Sequence, residues 1–173
     1  MDTVSYFDAS LYADLISGKG FTGEMHFLNK TLMDWYCKRQ AVPNTSTFGA
    51  ELDAARSCTQ HITDLRLTLR YMGVPLWRSV MFGDSKSVVD NTTVPRSRCT
   101  KRHTALGYHS VREAIARNIF SFHHIPGDYN PADMLTKHWG YNQIKMSLKA
   151  LLFWPGDTND LIEDEENDSQ YAE

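Results

Sequence analysis

The order of apolar patterns along this chain predicts an α/β domain built on a mixed five-stranded sheet flanked by helices. Three alternating segments stand together near the start, as an antiparallel meander requires. Strand and helix patterns then alternate, as parallel crossovers require. A third observation is chemical. Four widely separated acids, Asp8, Glu51, Asp84 and Asp133, each stand at the edge of an apolar or turn-forming segment. Only a fold that gathers strand ends and helix starts brings them together.

Residues 4–7 read as a first strand ending at Asp8, and the turn Ser17-Gly18-Lys19-Gly20 leads to a second at 21–28. There Phe21, Met25 and Phe27 share the alternating face of a half-buried strand. Asn29-Lys30 makes a tight turn into a third strand at 31–37 with Leu32, Trp35 and Tyr36. Pro43 to Thr47 supplies a loop and a helix N-cap. Beyond it Leu52, Ala55, Ile62, Leu65, Leu69 and Met72 recur at helical spacing until Gly73 and Pro75 stop the pattern. One helix, or two broken near 59–63, fits equally.

The next strand, 77–82, closes at Gly83-Asp84, and a short helix follows at 85–91. Residues 92–102 form an irregular basic loop, and 103–117 read as a helix that Gly107 weakens. A last strand at 119–125 turns through Pro126-Gly127-Asp128-Tyr129-Asn130, and Pro131 starts a helix carrying Asp133. Residues 141–153 form a terminal helix with Ile144, Leu148, Leu151 and Leu152 inward. Trp35, Tyr36 and Trp77 are expected in the core rather than as stacking platforms.

A chain of 173 residues, 42% hydrophobic and 23% charged, suits one domain with a sizeable core. No apolar run approaches the ~18 residues of a membrane-spanning helix, and the first residues lack the pattern of a signal peptide. Cys37, Cys58 and Cys99 have neither metal-ligand spacing nor an even count. They are expected to be reduced thiols in an intracellular setting, cytoplasmic or nuclear.

The net charge of −3 conceals an asymmetry. Eight acidic residues and no Lys or Arg lie from Asp157 onward, so residues 1–156 hold 18 basic against 13 acidic side chains. Six of those basic residues fall between Arg96 and Arg117. The expected organisation is therefore a mildly basic domain at 1–156, suited to a polyanion, and an acidic tail at 157–173 too polar to fold. A solvated helix face is the plainer reading of the basic patch.

Converging carboxylates repel one another and call for cations. Hard oxygen donors favour Mg2+, with Mn2+ as the alternative, and a pair of such ions about 3.5–4 Å apart is a recurrent arrangement for phosphodiester hydrolysis. The four acids, in this order on this topology, resemble the ribonuclease H arrangement. Asp8-Ala9-Ser10, Lys38-Arg39-Gln40, the stretch from Ser46-Thr47 to Ala50-Glu51-Leu52, and Gly83-Asp84-Ser85-Lys86-Ser87 extend that likeness. So do Ser97-Arg98-Cys99-Thr100-Lys101-Arg102-His103, Tyr108-His109-Ser110-Val111-Arg112-Glu113 and Ala132-Asp133-Met134-Leu135-Thr136-Lys137. These seven collinear blocks are similar to the ribonuclease H domain of copia-type LTR retrotransposon polyproteins.

The resemblance implies a ribonuclease H-like fold and hydrolysis of the RNA strand of an RNA–DNA hybrid, leaving 5′-phosphate and 3′-hydroxyl ends. It implies a reverse transcriptase polymerase domain as neighbour in the parent polyprotein. A Met1 start would suit an excised domain, a truncated element or a domesticated copy. Two Mg2+ ions are expected, with Asp8 bridging them, Glu51 and Asp84 sharing one, and Asp133 holding the ion that carries the attacking water. Asp53 competes with Glu51, which is favoured because it precedes the core-facing turn.

Arg98, Lys101, Arg102 and His103 are the expected phosphate contacts, which position a duplex without reading its sequence. Asn44, Thr45, Ser46 and Ser85 carry donors suited to sensing a 2′-hydroxyl, and each also suits a turn or cap. Cellular ribonucleases H place a mobile His in a longer loop before the last carboxylate, whereas no His lies between Ile125 and Ala132 here. His124 is expected to pack at its strand end, with help in product release as the auxiliary alternative. An integrase-like enzyme and a non-catalytic nucleic-acid-binding domain are the rivals. Retention of all four acids favours the enzyme.

Overall fold

The meander forms where alternation predicts it. Strands β1 (Thr3–Ala9), β2 (Phe21–Leu28) and β3 (Thr31–Arg39) precede helix α1 (Thr47–Tyr71) and strand β4 (Ser79–Gly83). Helices α2 (Lys86–Thr93) and α3 (Ala105–Ala116), strand β5 (Ser121–His124) and 3-10 turns at Gly127–Tyr129 and Pro131–Leu135 follow. This computed structural model describes residues 1–99, 104–140, 142, 144, 148 and 151. The sheet order is β3-β2-β1-β4-β5. The strand β1 pairs antiparallel with β2 and parallel with β4, which pairs parallel with β5. The expected mixed five-stranded sheet is therefore present, with β1 at its centre.

Helix α1 is one element, without the alternative break. Ser46 caps it from extended backbone, accepting from Gly49 N–H at 3.2 Å. Its inward stripe runs through Leu52, Ala55, Cys58 and Ile62 to Leu69. Small residues at Ala50, Ala54 and Ala55 let the helix approach the sheet closely. Helices α1, α2 and α3 all join one core cluster with Phe7, Met81 and Phe122 of the sheet.

Several expected burials differ. Residues 22–27 are all buried, so β2 is covered on both faces rather than one. Glu24 and His26 lie on the face approached by α1, at 0% and 1% exposure. Trp35 is 63% exposed because β3 is the sheet edge, and Trp77 is 82% exposed because β4 begins only at Ser79. Met72 is exposed because it is the C-cap of α1. The expected helix at Asp133 is a 3-10 turn.

The chain divides into two units, Met1–Trp139, which holds the sheet, and Gly140–Glu173. In the second, Asn142, Ile144, Leu148 and Leu151 are helical. The remaining positions of the expected terminal helix, and the acidic segment 157–173, lie outside the described residues. Among the described residues no helix is long and apolar enough to cross a membrane.

Ile62, on the inner face of α1, is 1% exposed. Ile62→Ala is expected to cost about 2–5 kcal/mol through lost burial and a residual cavity. Trp77→Ala should stay within about 0.5 kcal/mol as an exposed substitution. Urea unfolding of both variants checks the contrast, and equal losses would contradict this core.

Candidate metal-binding active site

Register brings the first two carboxylates together. In the parallel β1–β4 pair Phe7 lies opposite Gly83, and Asp8 and Asp84 are the next residues on each chain. A Cβ on Gly83 would stand 2.4 Å from the Phe7 ring, so only glycine admits that ring at this position. Asp133 arrives on the Pro131–Leu135 turn, which Asn130 fastens to the same strand end. Asn130 Nδ2 donates to the Phe7 carbonyl at 2.8 Å, and its Oδ1 accepts from Ala132 N–H at 3.2 Å. The turn lies close over β2 at Gly23, where a Cβ would meet Leu135 Cβ at 2.8 Å.

One carboxylate oxygen from each of Asp8, Asp84 and Asp133 lies within 4.8 Å of the other two. Glu51, on the second turn of α1, stands outside that mutual set but inside its field. Burial pushes its carboxyl up to about 9, with repulsion from Asp8 and Asp84 adding to the rise. Burial likewise pushes Asp8 up to about 6, against a hydrogen bond from Thr136 Oγ that lowers it. Asp84 is raised by burial and then by Asp133. Glu51 Oε2 is buried without a hydrogen-bond partner. Lys137 Nζ bonds the Asp133 carboxylate, and burial opposes the rise that this partner gives its pKa.

No family model matches the chain. Over 132 residues, 76% of its length, it is 29% identical to the retrovirus-related Pol polyprotein from transposon TNT 1-94 of Nicotiana tabacum. The chain spans 10% of that polyprotein. It superposes on RNase H1 of Halobacterium salinarum with a TM-score of 0.60 at 18% identity, covering 79% of this chain and 95% of that one. On LC11-RNase H1 the TM-score is 0.60 at 15% identity, covering 78% and 93%. The fold is that of ribonuclease H. With the polyprotein likeness, the resemblance to a retrotransposon ribonuclease H domain is borne out.

On this ribonuclease H fold three of the four predicted acids, Asp8, Asp84 and Asp133, converge at one end of the sheet, with Glu51 beside them. Asp53 does not join them; it pairs with Arg56 at 3.1 Å on the outer side of α1. His124 is exposed at the end of β5. Its Nε2 donates to the Asp84 carbonyl at 3.0 Å. Ser85 directly follows Asp84, with its Oγ 3.1 Å from Ser87 Oγ. Asn44 Nδ2 donates to Gln40 Oε1 at 3.0 Å, and Gln40 Nε2 donates to the Ala50 carbonyl at 3.0 Å, next to Glu51. Thr45 is exposed, and the Ser46 hydroxyl serves the helix cap.

The basic patch is partly structural. Arg112 donates to the carbonyls of Asn91, Val94 and Pro95, tying α3 to the end of α2, and Arg117 pairs with Glu113. Arg98 is exposed, while Lys101, Arg102 and His103 lie outside the described residues. Asn130, Thr136 and Lys137 were given no role from sequence. Their signal is position: Thr136 and Lys137 lie in the 132–137 segment that carries Asp133, and Asn130 precedes Pro131 as an N-cap residue would.

These donors fit hard divalent cations. All four are carboxylates, burial and then mutual repulsion raise the protonation of three, and one buried oxygen lacks a partner. The raised groups also set a pH dependence for the metal-free protein. Between the ordinary Glu value of 4.5 and about 9, folded Glu51 holds a proton that the unfolded chain releases. Stability therefore falls as pH rises through that window. Glu51→Gln should flatten the fall, raising stability near pH 8 but not near pH 4, as read by thermal melts in chelator. An unchanged pH profile would contradict this electrostatic account.

Proposed function

We propose that this domain is a metal-dependent endoribonuclease that hydrolyses the RNA strand of RNA–DNA hybrids, as in copia-type retroelements. The convergence of Asp8, Glu51, Asp84 and Asp133 on a ribonuclease H fold carries this reading. LC11-RNase H1 has been crystallised with an RNA/DNA hybrid, which supports the substrate class. The Pol polyprotein relative supports a polyprotein context; a polymerase domain as neighbour and an intracellular setting, cytoplasmic or nuclear, are part of the proposal.

Asp8, Glu51, Asp84 and Asp133 would hold two Mg2+ ions, or Mn2+. Bound there, the ions supply an activated water and offset charge on the departing oxygen of an in-line displacement. Asp8 suits the shared position because the central strand places it against both Asp84 and Asp133. Thr136 orients the Asp8 carboxylate through its hydroxyl, and Lys137 holds Asp133. His124, beside Asp84, is placed to assist release of the cut strand. Asn44, Thr45 and Ser46 before α1, and Ser85 after Asp84, are the proposed hydroxyl-sensing positions. Arg98, with Lys101, Arg102 and His103, is proposed to contact phosphates.

Cleavage of a labelled RNA–DNA hybrid in Mg2+, beside RNA–RNA and DNA–DNA controls, tests the activity. Asp8→Asn and Asp84→Asn should each lower the rate about a hundredfold or more, the scale on which electrostatic stabilisers of a transition state act. A folded protein that binds the hybrid and never cuts in Mg2+ or Mn2+ would leave the non-catalytic binding domain as the function. Arg98→Ala should weaken hybrid binding and reduce the slope of log affinity against log salt by about 1. An unchanged slope would remove Arg98 from the interface.

A further inference from the structure

A second polar cluster lies between β2 and the long helix that carries Glu51, and uses none of the four acids. Glu24 and His26 project from β2 toward α1, and His61 comes down from the helix. One ligand atom from each lies within 4.8 Å of the other two. The His61 ring is held edge-on to Tyr36, with centroids 4.6 Å apart. Burying a carboxylate and two imidazoles under a helix is costly unless every polar atom is satisfied. Here they are not: Glu24 Oε1 and His26 Nε2 are buried without a hydrogen-bond partner.

The spacing around the orphaned His26 nitrogen is informative. His26 Nε2 stands 3.4 Å from Glu24 Oε2, near it but not hydrogen-bonded to it. Two donors each about 2.1 Å from one tetrahedral ion lie about 3.4 Å apart, the separation of nitrogen and oxygen ligands on Zn2+. His26 Nδ1 is 2.8 Å from Ser5 Oγ. If Nδ1 donates to that hydroxyl, Nε2 presents its lone pair to Glu24, the tautomer a metal-ligating His needs. His61 Nδ1 lies 2.7 Å from Glu24 Oε2 and would have to move outward by roughly 0.7 Å to share the ion. Its side chain is 36% exposed, which leaves room to move and a route of entry.

We propose that Glu24, His26 and His61 form a second metal site, selective for a borderline-soft divalent cation of the Zn2+ type. Imidazole donors distinguish it from the all-carboxylate cluster, which suits harder ions. Its role is to clamp α1 onto β2, so that the helix carrying Glu51 is fixed to the sheet at a point ten residues further along.

The test uses the full chain carrying Asp8→Asn and Asp84→Asn, which weakens the all-carboxylate site while keeping this one. Zn2+ titration by calorimetry, in excess Mg2+, should give one equivalent bound and a higher melting temperature. His61→Gln, and separately Ser5→Ala, should each weaken that binding about tenfold or more, the usual effect of losing a ligand or its orienting partner. Co2+ should give the visible absorption of a nitrogen-ligated low-symmetry site, lost in His61→Gln. If the double variant does not fold, the wild-type chain in excess Mg2+ gives the same readout as a Zn2+-dependent melting shift that His61→Gln removes. Folded protein that binds no Zn2+, or binds it equally after His61→Gln, overturns the site. Hybrid cleavage is measured separately, so failure here and failure of the nuclease reading are distinguishable.

Discussion

The parallel pairing of β1 with β4, in the register that sets Phe7 opposite Gly83, is the constraint on which the rest of the site depends. Parallel strands point the same ends in the same direction, so each strand delivers its terminal carboxylate to one edge. A slip of one residue would turn Asp8 to the other face of the sheet. The Phe7 ring against Gly83 resists that slip. The same ring anchors the core shared by all three helices, so the contact that closes the core also sets the spacing of the site.

Asn130 extends this control to the third acid, since it bonds the Phe7 carbonyl and caps the turn carrying Asp133. Four carboxylates so arranged oppose folding unless protons or cations offset them. The metal-free protein uses both: protons on the raised carboxyls, and Lys137 on Asp133. A site whose own repulsion is relieved by divalent ions gains stability on loading, because binding to the folded state alone shifts the folding equilibrium. Function and marginal stability therefore meet at one edge of the sheet.

Helix α1 serves two polar clusters on one face. Glu51 reaches the strand ends, while His61 reaches Glu24 in the middle of β2. Between them Leu52, Ala55 and Cys58 seal the apolar core. This explains why β2 is buried on both faces and why its alternation was misleading. Glu24 and His26 occupy the positions that a half-buried strand would give to solvent. Only the helix above them makes those positions interior.

By itself the sequence determined the order of elements, a helix cap within residues 43–47 and the four acids to be gathered. These are local facts: alternation, helical spacing, turn chemistry and a carboxylate at each segment end. It did not determine that Trp35 and Trp77 face outward, because strand membership and edge position depend on pairing partners far along the chain. Nor did it separate Arg112, spent on carbonyls at the end of α2, from Arg98, which remains at the surface. The contacts of Thr136, Lys137 and the Glu24–His26–His61 cluster were decided only by tertiary structure. Each joins residues that sequence separates, and a side chain's partner is set by register and helix docking rather than by its neighbours along the chain.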